Sequence, residues 1–294
     1  MLSPFRVVHP TSIREATAEL ERLGEQASVY AGGAELLLLM RQGLLQPDYL
    51  VNIKRIAGLD VIEANGSTVR IGAAVTHRRL ESDPTIRERL PALADAEHHV
   101  GNTRVRNQGT LGGNLCFADP HADPGTALLI YGASVTISSS AGERTLPLAE
   151  FLVGTYETAV NSGELLTSIE ATPLPAGWNA AFLRVERFSR PTVNVAAAAS
   201  LAPNGRLSEA RLAVGCVGPK AIRLSDLEER VVGTTVAEAQ RVIGESSAYL
   251  AERLEPVGDL LGSASYKITI ARVLLQRAIE QAAATNGRTQ HGGN

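Results

Sequence analysis

Two short glycine strings constrain this chain more than any other feature. The first, Ala31-Gly32-Gly33-Ala34-Glu35-Leu36, joins a short strand pattern at 28–31 to a leucine-rich helical stretch at 35–41. The second, Thr110-Leu111-Gly112-Gly113-Asn114, runs shortly into Asp119-Pro120-His121-Ala122-Asp123-Pro124. Glycine lets a backbone approach a ligand closely and adopt positive φ. N–H groups left free at a helix start, or in successive turn residues, attract an anion. Two such strings can clamp a pyrophosphate from both sides, with an Asp nearby to accept from a ribose hydroxyl. A lone Gly-Gly after a strand is an ordinary turn, but two in distinctive settings favour a ligand. Neither string is G-x-G-x-x-G or G-x-x-x-x-G-K-S/T, which argues against a Rossmann crevice and P-loop chemistry.

The rest of the chain alternates helices and strands. Ser12-Ile13-Arg14-Glu15 reads as a capping box ahead of Ile13, Ala16, Leu20 and Leu23 at helical spacing, with Gly24 as its stop. Strands are predicted at 49–53, 68–72, 133–138 and 165–171, and a helical region at 77–99 broken by Pro84 and Pro91. Residues 101–123, rich in Gly, Asn and Asp, read as a long ordered loop. Pro173-Leu174-Pro175-Ala176-Gly177 is the best domain boundary. Beyond it lie strands at 180–185, 193–201 and 207–217, then two closing helices at 235–254 and 265–284. The tail 287–294 is polar, glycine-rich and expected to be disordered.

Composition removes other classes. Aromatic residues are only 4% of the chain, so the core must be built from Ala, Val, Leu and Ile. The net charge of -3, without a basic run, gives no footprint for nucleic acid. Cys116 and Cys216 are too far apart and too few for a disulfide framework or a cysteine-ligated cluster, and read as two buried thiols. No secretory leader and no membrane-length apolar run is seen, so the reading is cytoplasmic with no membrane partner.

The glycine strings resemble two motifs of the FAD-binding medium subunits of molybdenum hydroxylases. AGGAELLLLMRQG at 31–43 resembles their A-G-G-T-D-L-L motif. NTRVRNQGTLGGNLCFADPHADPGTALL at 102–129 is similar to their V-R-N-x-G-T-I/L-G-G-N/S string and the D-P-x-x-D that follows. VNIKRIAGLD, IGAAVTH and AVGCVGPKAIR match shorter family strings, so the resemblance covers most of the chain. The pattern is that of the carbon monoxide dehydrogenase medium subunit and the xanthine dehydrogenase FAD domain.

The resemblance implies an α+β fold: a two-lobed FAD-binding domain of the PCMH/VAO type over 1–174, with lobes at about 1–57 and 58–174. A smaller α+β domain over 178–286 would follow. It implies that Val29, Tyr30, Ala31, Gly32, Gly33, Ala34, Glu35 and Leu36 wrap the pyrophosphate. Thr110, Leu111, Gly112, Gly113 and Asn114 would bind it from the second string, and Thr76 lies in the matching IGAAVTH string. Val100 would approach the flavin, Leu166 would pack on the cofactor, Asp123 would bond a ribose or ribityl hydroxyl, and Arg184 would stand near the ring. The implied partners are a molybdopterin-binding large subunit and a small subunit with 2Fe–2S clusters, in a dimer of heterotrimers, with an external electron acceptor. The chain itself would be an oxidoreductase subunit with no catalytic acid or base and no metal.

Two departures from the family stand out. Ala34 removes a hydroxyl donor to phosphate, and Glu35 is expected to point away from it or to cap the following helix. His77, His121 and the pair His98-His99 invite a metal reading, but adjacent His residues do not share a helix face, so the pair is a poor chelate, while His121 or Cys116 could carry a covalent flavin. Two rival classes are a standalone FAD-dependent oxidoreductase of the same fold, which needs an acid or base beside the flavin, and a non-catalytic dinucleotide-binding module, which needs no flavin.

Overall fold

The computed structural model describes residues 3–187 and 190–284, so the tail expected at 287–294 lies outside the described residues. The first lobe comprises β1 (Arg6–Val8), α1 (Ile13–Leu23), β2 (Ala27–Tyr30), α2 (Leu36–Gln42) and β3 (Tyr49–Asn52). β3 inserts between β1 and β2, parallel to both. Ser12 Oγ accepts from the Glu15 N–H at 3.1 Å and starts α1. The reciprocal half of the expected capping box is not made. Glu15 instead takes the Thr11 N–H and hydroxyl, at 2.7 and 2.9 Å, because Thr11 offers two donors to one carboxylate oxygen. Ala16, Leu20 and Leu23 form one stripe, buried with Val51 and Ile53, and Gly24 at φ +55° ends the helix.

The second lobe opens with β4 (Ile62–Asn65), β5 (Thr68–Gly72), α3 (His77–Ser82), α4 (Pro84–Arg89), α5 (Pro91–His99) and α6 (Thr103–Gln108). It continues through α7 (Leu111–Phe117), α8 (Pro124–Ile130), β6 (Ser134–Ser139), β7 (Gly142–Pro147) and α9 (Leu148–Phe151). β8 (Leu152–Gly154), β9 (Glu157–Thr158) and β10 (Leu165–Ala171) close it. The antiparallel sheet runs β4-β5-β10-β6-β7. Pro84 and Pro91 each open a helix, at the position where a missing N–H costs nothing.

The long loop expected at 101–123 is in fact mostly helical. Asn102 caps α6 and Thr110 caps α7, each by a side-chain oxygen accepting from the first turn. The second glycine string is therefore the first turn of a helix. Intrinsic propensity disfavours Gly-Gly there, but packing overrides it: a Cβ at Gly112 would lie 2.6 Å from both Ala73 Cβ and Ala73 O.

The C-terminal part is a meander of β11 (Trp178–Arg187), β12 (Arg190–Leu201), β13 (Leu207–Gly215) and β14 (Ile222–Arg223). It is followed by α10 (Ser225–Val231), α11 (Val236–Gly244), α12 (Ser247–Leu254) and α13 (Ala264–Ala283). Sequence reading missed α10 and joined α11 to α12. The break is stabilised from α13, where the Arg272 guanidinium donates to Gly244 O and Ser247 Oγ, both at 3.0 Å. β12 reads as continuous alanine, yet it alternates. Ala196 and Ala198 join the core of the second lobe, while Val193, Val195, Ala197 and Ala199 join the core under α11 and α13. Both faces of the strand are thus buried, and small side chains let helices approach from each side. Among the described residues no helix is long and apolar enough to cross a membrane.

Candidate functional site

The two glycine strings meet backbone to backbone. A Cβ on Gly32 would lie 2.1 Å from Gln108 O and 2.8 Å from Gly109 Cα, so only glycine allows this junction between the lobes. Gly33 has φ +78° and packs beneath the Tyr30 ring, which carries Lys54 Nζ 4.0 Å from its centroid. Val29 and Tyr30 are half-buried on β2, Ala31 is buried, and Leu36 opens α2.

The two strings differ in what they offer a ligand. The N–H groups of Gly32, Gly33, Ala34 and Glu35 have no hydrogen-bond partner among the described residues. The N–H groups of the second string are spent internally. Leu111 donates to Val75 O at 3.0 Å, Gly112 to Ala73 O at 2.9 Å, Gly113 to Thr110 Oγ1 at 3.1 Å and Asn114 to Thr110 O at 2.9 Å. A symmetric clamp of backbone amides, as the sequence suggested, is therefore not built. The second string presents side chains instead. Asn114 Oδ1 is buried without a partner among the described residues, and the amide can turn either end toward a ligand. Glu35 makes no capping bond to α2. Desolvation, and then the charge of Asp119, push its carboxyl above the usual range, with Arg190 opposing.

The 119–123 string ties the second lobe to the C-terminal meander at each polar position. Asp119 Oδ2 meets Arg190 at 2.5 Å. His121 Nδ1 meets Pro191 O at 2.9 Å, and its Nε2 lies 3.0 Å from Asp259 Oδ2. Asp123 is buried, with Oδ2 on Arg184 at 2.6 Å and Oδ1 on Asn194 at 2.7 Å. Arg184 also donates to His99 O at 3.2 Å and pairs with Glu186. Both nitrogens of His121 are thus engaged with protein partners. Cys216 is buried, but Cys116, on the short α7, is exposed, which corrects the expectation of two buried thiols.

Of the other expected site residues, Thr76 caps α3 and bridges to Thr110, bringing IGAAVTH against the second glycine string. Val100 ends α5 and its carbonyl accepts from Arg106 at 3.2 Å. Leu166 is buried in the second-lobe core, whereas its neighbour Leu165 joins the first-lobe core.

Sequence reading did not find Glu81. This nearly buried carboxylate holds Arg78 at 3.0 Å, His98 at 2.7 Å and Arg106 at 3.1 Å, and so fixes α3, α5 and α6 together. Burial works to raise its pKa. Hydrogen bonds from His98 and Arg78 and the charge of Arg106 outweigh burial and hold it below the usual glutamate range. An acid depressed in this way stabilises the fold above its unfolded value, and that contribution is lost as pH falls through the folded value. Unfolding midpoints in urea should therefore drop below the usual glutamate range, and drop less steeply in Glu81→Gln. Superimposable acid limbs for the two proteins would refute this role.

A two-lobed α+β domain with a glycine junction and a row of unpartnered amides, clasped by a small α+β domain, fits a class of proteins that hold a phosphate-bearing ligand. Residues 3–174 match the family described as the FAD binding domain in molybdopterin dehydrogenase. Residues 188–282 match the CO dehydrogenase flavoprotein C-terminal domain. The chain is 32% identical over 283 residues to the 6-hydroxypseudooxynicotine dehydrogenase complex subunit alpha of Paenarthrobacter nicotinovorans, covering 95% of this chain and 94% of that one. It is 32% identical over 285 residues to the carbon monoxide dehydrogenase medium chain of Hydrogenophaga pseudoflava, covering 96% and 98%. A solved structure of carbon monoxide dehydrogenase from the same organism superposes with a TM-score of 0.90 at 33% identity, covering 96% of this chain and 98% of that chain. The chain belongs to the FAD-binding medium-subunit family of molybdenum hydroxylases, and is an oxidoreductase flavoprotein subunit.

Proposed function

We propose that this chain carries electrons within a molybdenum-containing hydroxylase or dehydrogenase. It receives them from the 2Fe–2S clusters of a small partner subunit and passes them to an external acceptor. Substrate oxidation falls to a molybdopterin-binding large subunit, in a dimer of heterotrimers working in the cytoplasm. The names of the relatives, which are subunits of larger complexes, support this reading. On this reading the FAD-binding domain spans 1–174, in lobes of about 1–57 and 58–174, and the C-terminal domain spans 178–286.

The observation that carries the proposal is the row of unpartnered N–H groups from Gly32 to Glu35, set against a junction that excludes a Cβ. Four amides left without partners along one turn give a wall that fits a pyrophosphate without a cationic side chain. Val29, Tyr30, Ala31, Ala34 and Leu36 complete that wall. Thr76, Thr110, Leu111, Gly112, Gly113, Asn114 and Val100 form the opposite one, with Leu166 behind it. Asp123 keeps lone pairs free for a ribose or ribityl hydroxyl after binding Arg184 and Asn194, and Arg184, itself paired with Asp123 and Glu186, holds that carboxylate in place. When bound, FAD supplies the exchange between single-electron and two-electron carriers; the protein positions and tunes it. No proton-transferring side chain is required of this chain.

The test is the visible absorption spectrum of the native assembly before and after acid precipitation. Flavin bands together with iron–sulfur absorbance, and FAD in the supernatant, are expected. Flavin on a chain that turns over substrate alone would overturn the subunit reading. Absence of flavin, with none taken up on adding FAD, would overturn the assignment of the glycine strings.

A further inference from the structure

We propose that the buried pair His77–Glu97 is a positioning element for the flavin site, acting through Gly109. This rests on the reading that FAD lies between the two glycine strings. His77 opens α3 and Glu97 lies on α5; their side chains are 3% and 0% exposed and meet through Nδ1 and Oε2 at 2.6 Å. The pair holds residue 109 twice. The His77 N–H donates to Gly109 O at 3.1 Å. The His77 ring and the Val105 carbonyl form the floor under Gly109, where a Cβ would lie 2.9 Å from His77 Cδ2, 3.0 Å from Val105 O and 3.2 Å from His77 Nε2.

Residue 109 is well placed to transmit this. Its backbone, with that of Gln108, is the surface on which Gly32 packs, and the next residue, Thr110, caps α7. The plane of one buried ring therefore sets the spacing between the two strings. Burying an ionisable pair costs desolvation that an apolar pair would avoid. Glu97 Oε1 has no partner among the described residues, so the pair is not arranged for the greatest stability. What it supplies is direction. A short bond at Nδ1 fixes the ring plane, whichever partner carries the proton. Glu97 also lies two residues before His99, whose carbonyl receives Arg184, so the same helix reaches Arg184 as well as Gly109.

The full-length chain is freed of flavin and titrated with FAD, reading fluorescence quenching, the visible circular dichroism of the bound flavin, and the thermal midpoint of the flavin-free form. Glu97→Gln, His77→Asn and Gly109→Ala should each weaken FAD binding by about tenfold and alter the flavin dichroism. The losses in the Gly109→Ala/His77→Asn double variant should fall short of the product of the two single losses, because the smaller side chain relieves the contact with the ring while the 3.0 Å contact of the new methyl with Val105 O stays. Folded variants with wild-type affinity and dichroism, or losses that multiply in the double variant, would overturn the proposal while leaving the FAD site intact. If Glu97→Gln does not fold, the Gly109/His77 cycle decides alone. Failure of the wild-type chain to bind FAD would overturn both this inference and the reading beneath it.

Discussion

Alanine at position 32 is expected to weaken FAD binding by about 1–3 kcal/mol, which is roughly tenfold to a hundredfold in Kd. The added methyl would sit 2.1 Å from Gln108 O, a backbone atom that cannot swing aside. The first string must then withdraw from the second, and the four free amides move with it. Fluorescence titration of the flavin-free chain measures the loss. Gly66→Ala is the matched control, since Gly66 has φ +59° and a methyl added there would meet nothing within 4 Å. It should lower stability through backbone strain alone, leaving FAD affinity unchanged. Equal affinity losses at both positions would show that general strain, and not close approach, governs binding.

Asp123→Ala is expected to destabilise the folded chain by about 3–5 kcal/mol, because it leaves the Arg184 guanidinium buried without its main partner. Asn194 and the Ala122 carbonyl lose a common anchor as well, since the Asn194 amide binds Asp123 at 2.7 Å and Ala122 O at 3.1 Å. Burial pushes the Asp123 carboxyl up, against the opposing pull of Arg184 and Asn194. An acid raised in this way holds its proton in the folded state where the unfolded state has released it. Its contribution to stability falls as pH rises from the usual aspartate range through the folded value, so Asp123→Asn should remove that slope. Urea unfolding read by fluorescence of Trp178, the lone tryptophan, measures both effects. The Asp123→Leu/Arg184→Met pair should be milder than Asp123→Ala, since no charge is stranded. A loss under about 1 kcal/mol for Asp123→Ala would remove the clasp from the account of stability.

The need for glycine at position 32 was legible because a close approach needs glycine at the point of contact, although the surface it meets is the Gln108–Gly109 backbone and not the ligand the sequence suggested. The breaks at Pro84 and Pro91 were likewise legible from the residue type. What the sequence hid depends on partners far along the chain. Gly112-Gly113 reads as loop until Ala73, 39 residues earlier than Gly112, is placed against it. The amides of 111–114 look available until Ala73, Val75 and Thr110 are seen to accept them. Glu81 sits in an unremarkable helical stretch, and its three partners come from positions 78, 98 and 106. The split between α11 and α12 depends on Arg272, a full helix away.

The doubly buried β12 also governs the order in which the molecule can be completed during synthesis. Phe182, Ala196, Ala198 and Ala213 belong to the core of the second lobe, most of whose other residues precede position 172. That core cannot close when its own helices and strands have left the ribosome; it must wait until β13 has emerged. Until then the faces of α5 and α8 that will meet the meander stay open, in the kind of partly folded state that invites aggregation and chaperone binding. A nascent chain halted at about residue 175 should consequently be captured more readily than one halted past residue 215.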